Sequence, residues 1–135
     1  MTDSALRNSG LAYQRLWLTM GAFLVVLLLY GSLAPAKALP PLGESDKLWH
    51  AGTYFVVMAY FSQIYVPLRM RLVVAVALIA LGVGIEFIQP YFNRQFDWHD
   101  AFANGVGVAG ALLISLSPLG LILRHVDSRL QRFLR

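Results

Sequence analysis

Glu86 is the only charged residue between positions 72 and 93. A carboxylate at the centre of a bilayer costs about 3 kcal/mol on insertion scales, and acids in such segments mark functional positions by default. Gln89, Pro90, Arg94, Asp97, Asp100 and Asn104 follow it within one short stretch, and Asp46, Lys47 and His50 form a second polar group upstream. Three kinds of chemistry fit these residue types. Arg94, Lys47 and His50 can hold a phosphate, with Arg94 as a bidentate donor and Glu86 orienting Arg94 or His50. His50 and Glu86 can act as base and orienter, with Asp97 or Asp100 as a second acid. The same charges can also pair among themselves, Arg94 bridging Glu86 to Asp97 or Asp100 and Lys47 neutralising another, which would lock helix ends together.

Spacing places these side chains on shared helix faces. Asp46, His50 and Tyr54 recur at intervals of four, and Glu86 and Gln89 are three apart. Ser45 or Asp46 can cap one helix and Asp97 another, with Asp100 near the positive end of the second helix dipole. Pro90 removes a backbone donor and should end or kink its helix. Gly105, Gly107, Ala109, Gly110 and Ala111 would let a neighbouring helix approach closely.

The elements that must position these residues are membrane helices. The chain of 135 residues is 58% hydrophobic and 13% charged, with mean hydropathy +0.61. A soluble domain carries about 25% charged residues. Four spans are predicted at about 16–36, 50–68, 72–92 and 100–123, each near the roughly 20 apolar residues that cross a bilayer. Arg7, Arg15, Arg69, Arg71, Arg124, Arg129, Arg132 and Arg135 fall on one side of that arrangement, and Lys37, Lys47 and Arg94 on the other. The positive-inside rule then puts both termini in the cytoplasm and the polar cluster at the outer face.

The expected fold is therefore an all-α membrane protein with four transmembrane helices in a small bundle. It forms a single domain over residues 1–135. Residues 124–135 add a short amphipathic helix on the inner leaflet, with Val126, Leu130, Phe133 and Leu134 at helical spacing. Ala34-Pro35-Ala36 has the small residues of a signal cleavage site, but the apolar run before it is long for a signal core and proline between the alanines hinders cleavage.

The net charge of +4 does not read as nucleic-acid binding, because the basic residues flank apolar segments instead of forming a stripe with aromatics. The chain has no cysteine, which rules out disulfides, thiolate metal sites and a cysteine nucleophile. His50, His99 and Glu86 show no HExxH-type spacing, so no metal and no cofactor is assigned. No serine or threonine stands beside the candidate base, so catalysis stays an open alternative.

Asp46-Lys47-x-x-His50 with Tyr54, then Gly84-Ile85-Glu86-x-x-Gln89, then Asn93-Arg94-x-Phe96-Asp97-x-x-Asp100-x-x-x-Asn104-x-x-Gly107 resembles the VanZ-like family. The ordered set covers about residues 45–111 and leaves out the first span and the basic tail. The resemblance implies a four-span protein of the bacterial cytoplasmic membrane with a cell-envelope role. The name-giving member of that family lowers sensitivity to teicoplanin, so modulation of glycopeptide sensitivity is an expectation here. Asp46, Lys47, His50, Glu86, Gln89, Arg94, Asp97, Asp100 and Asn104 are the candidate site. The expected partner is a membrane lipid or a lipid-linked envelope precursor. Translocation through so small a bundle would require a homo-oligomer.

Overall fold

The computed structural model describes residues 10–34 and 46–134. Ser45, Lys37 and the Pro35-Ala36 part of the cleavage-like sequence lie outside them. All regular structure among the described residues is helical: α1 (Gln14–Leu33), α2 (Asp46–Ile64), α3 (Leu68–Ile88), α4 (Trp98–Ser115) and α5 (Ile122–Phe133), with 3-10 turns at Gln89–Phe92 and Pro118–Leu121.

The ends of these helices follow from local chemistry. α3 stops at Ile88, and Pro90 continues the chain as a 3-10 turn. Asn93 closes that turn in the left-handed region, φ 57°, which asparagine tolerates better than most side chains. Asp97 then caps α4, its side chain accepting the His99 N–H at 2.8 Å. The C-terminal ends of α2 and α4 share one unexpected cap. Arg71 is buried, and its guanidinium donates to the carbonyls of Ser62, Tyr65 and Ser115. These are carbonyls left free where a helix ends. Arg71 was expected only to flank a span as a topology signal; it holds the adjoining ends of three helices as well.

α2 is the central element. It packs closest against α4, where a Cβ at Gly107 would overlap the Ala51 carbonyl oxygen, so only glycine permits the approach. Tyr54, Val57 and Met58 of α2 form the core with Leu28, Leu78, Ile85, Val108 and Ala111. A second cluster joins Leu11, Trp17 and Ile64 to Leu123 and Leu130 of α5. Asp127 is buried beside it and accepts from the Ala12 N–H, the Tyr13 N–H and the Trp17 indole N–H at 2.8–3.1 Å. α5 is the amphipathic helix expected from residues 124–135, but its apolar residues divide. Leu130 packs inward, while Val126, Phe133 and Leu134 are exposed.

The membrane arithmetic comes out lower than four. α1 and residues Leu68–Phe92 are long and apolar enough to cross a bilayer, and α4 with Pro118–Phe133 makes a third candidate only if a pair bent by 83° is one span. α2 does not join them because Lys47, His50, Thr53, Tyr54 and Gln63 lower its hydropathy. Two of those side chains point into the bundle: His50 and Tyr54 are buried. Large apolar residues on the other helices face outward, among them Phe23, Val26, Val73, Val76 and Leu113.

Candidate functional site

The N-terminal ends of α2 and α4 and the C-terminal end of α3 meet at one end of the bundle. Lys47 sits between two carboxylates of α4's first turn, with Nζ 3.3 Å from Asp97 Oδ2 and 3.3 Å from Asp100 Oδ1. The hydrogen bond to Asp97 is the main cause that holds the Lys47 ammonium above its ordinary pKa, with Asp100 adding to it. The Asp97 carboxyl is lowered to about 2, chiefly by the His99 backbone N–H and then by the His99 ring. The His99 ring nitrogen lies 2.7 Å from the same Asp97 oxygen.

Behind this exposed pair the site is buried. His50 Nδ1 lies 3.2 Å from Asn104 Oδ1, and its Nε2 faces Asp100 Oδ2 at 3.6 Å. An amide oxygen only accepts, so Nδ1 carries the proton in that contact. Glu86 is fully buried at the end of α3; Oε2 accepts the Asp97 backbone N–H at 3.3 Å, and Oε1 has no hydrogen-bond partner. The Tyr54 hydroxyl is likewise buried and unpartnered. A Cβ at Gly82 would meet both this hydroxyl and the Asn104 amide, so glycine there makes room for the two polar groups.

Two candidate residues stand elsewhere than expected. Gln89 is buried and donates to the Ser32 carbonyl at 3.0 Å, tying α3 to the end of α1 instead of joining the charges. Arg94 bridges neither Glu86 nor the aspartates; it makes no ion pair among the described residues. Lys47 does the bridging, because it starts α2 directly opposite the first turn of α4. Half-buried Arg94 instead lines a cavity of about 650 Å³ between α1 and α2. Leu24, Leu27, Leu28, Val56 and Val57 supply its apolar wall, and Asp46, His50 and Arg94 its polar end.

The arrangement also shows what spacing alone hid. The ligand atoms of Asp46, His50 and Asp100 lie within 4.8 Å of one another. His50 comes one helical turn after Asp46, but Asp100 is supplied by another helix, so no contiguous motif announces the group. In comparison with known proteins, no family model, no curated protein and no solved structure matches the chain.

Proposed function

We propose that the chain is a multi-pass protein of the bacterial cytoplasmic membrane that binds the anionic head group of a membrane lipid or lipid-linked envelope precursor. Both termini lie in the cytoplasm on this reading, which the eight basic residues on that side support. α2 and α4 complete a four-span bundle. With 19 and 18 residues they reach about 28 and 27 Å, close to the hydrocarbon thickness. A polar central helix is tolerated in a bilayer when its polar side chains face the bundle interior. Outward apolar residues on α1, α3 and α4 support this placement, since a water-soluble monomer rarely exposes so large an apolar surface.

The observation that carries the head-group reading is Arg94, a guanidinium with no ion-pair partner among the described residues, at the polar end of an otherwise apolar cavity. The cavity wall takes an acyl or prenyl chain, and the Arg94 fork takes a phosphate. Part of the cluster is a structural lock on this reading. Lys47 joins α2 to α4 through Asp97 and Asp100 and is spent there. An envelope role and modulation of glycopeptide sensitivity follow if the ligand is a peptidoglycan precursor, as the VanZ-like resemblance implies.

Native mass spectrometry of the protein extracted from membranes tests the reading, with wild type set beside Arg94→Ala. An anionic lipid retained by wild type and lost from an equally stable Arg94→Ala supports it. No lipid on either protein, or equal retention by both, defeats it.

A further inference from the structure

We infer that Asp46, His50 and Asp100 form a binding site for one divalent transition-metal ion, Zn²⁺ or Mn²⁺, at the polar end of the cavity. The ligand atoms of the three lie within 4.8 Å of one another. First-row divalent ions bond nitrogen and oxygen at about 2.0–2.2 Å, so ligands sit roughly 3–4.3 Å apart around them. The three side chains need to close by about half an ångström.

The histidine is set as a ligand. Asn104 Oδ1 takes the Nδ1 proton, so in the neutral imidazole the Nε2 lone pair is directed at Asp100 Oδ2, 3.6 Å away. A divalent ion between these two atoms takes the place of the proton that would otherwise join them as a His50–Asp100 ion pair. An imidazole whose other nitrogen donates to an oxygen is the usual supported metal ligand. Asp100 is supported in the same manner: Lys47 holds Oδ1 and leaves Oδ2 toward His50. Asp46 makes no ion pair among the described residues.

Glu86 supplies an independent sign that a polar partner belongs in this part of the bundle. It is fully buried, its Oε1 has no hydrogen-bond partner, and it lies within electrostatic reach of His50 and Asp100. One imidazole with two carboxylates suits Zn²⁺ or Mn²⁺ and is too poor in oxygen for Ca²⁺. Asp46 and His50 line the cavity, so the open coordination positions face it. There a phosphate oxygen of the ligand completes the shell beside Arg94; this last step rests on the head-group reading, and the metal site does not.

The test uses untagged full-length protein in phospholipid-free detergent, stripped with EDTA and titrated with Zn²⁺ and, separately, Mn²⁺. Expected is one equivalent per chain, with affinity reduced at least tenfold in Asp46→Asn and in His50→Gln and unchanged in His99→Gln. Asp46 is half-buried at a helix end, so its variant reports even if His50→Gln does not fold. Folded wild type that takes up neither ion at one equivalent overturns the site. So does Asp46→Asn binding as tightly as wild type, or loss of binding in His99→Gln. Lipid retention is measured in parallel in EDTA. Arg94-dependent lipid without metal uptake overturns the metal site and spares the head-group reading. Metal uptake without lipid upholds the site and defeats that reading.

Discussion

Glu86 Oε2 accepts the backbone N–H of Asp97 at 3.3 Å, so the buried acid of α3 positions the residue that caps α4. One carboxylate thereby sets the register between two helices from its place inside the bundle. Glu86→Gln keeps an acceptor oxygen for that amide and should fold with nearly wild-type thermal stability. Glu86→Ala strands the amide and leaves a cavity, and should cost about 2–4 kcal/mol in reversible unfolding in detergent. Equal stability of the two variants would remove Glu86 from this role.

Gly107 and Ala51 fix how close α2 and α4 come. Gly107→Ala places a methyl group on the Ala51 carbonyl oxygen, and neither backbone can yield as a side chain would. The expected loss is about 1–3 kcal/mol or more, read as a lower unfolding midpoint. Gly105→Ala is the control, because a Cβ there meets nothing within 4 Å.

Asp127 gives the fold a pH dependence at the end of the bundle opposite the site. Burial pushes its carboxyl up, but the Trp17 indole and the Ala12 and Tyr13 amides together win and hold it below the usual carboxylate range. The folded pKa is therefore lower than the unfolded value of about 3.9. The contact's contribution is complete above that value and is lost as pH falls through the lowered one. Acid titration followed by tryptophan emission should show Trp17 becoming more hydrated only below about pH 4. Asp127→Ala should show that emission at neutral pH, with about 1–3 kcal/mol of stability gone.

Arg71 should tolerate no neutral replacement. Its guanidinium satisfies three carbonyls at once, and hydrogen bonds from charged donors contribute about 1.5–3 kcal/mol each. Arg71→Met fills the volume and loses all three; a drop of at least about 2 kcal/mol is expected. Arg71→Lys should recover part of it, since a single ammonium cannot reach along three directions.

What could be read from the sequence was local. The Asp97 cap, the break at Pro90, the glycine contact of α4 and the amphipathic last helix all depend on spacings of a few residues. Arg71, Asp127 and the released Arg94 depend on contacts across the chain. Asp127 meets Trp17 across 110 positions and Arg71 meets Ser115 across 44, and hydrophobic periodicity carries no trace of either. The same reasoning bears on α2. Its polar side chains lower its hydropathy below that of α1 and α3, and they are those of a helix packed among other helices. Asp46, His50 and Asp100 escaped a motif search for the same cause, since two different helices supply them.

The Asp127 clasp also has a temporal side. A ribosome releases Trp17 110 residues before it releases Asp127. While those residues are made, the first helix exists without the acceptor for its indole and for the two amides at its start. Its N-terminal turn must therefore stay at the wet boundary, hydrogen-bonded to water, until α5 arrives and docks. Closure of the bundle is thus a late event joining α1 to α5. A protein cut short before α5 should leave that first turn open to protease long after the other helices have packed.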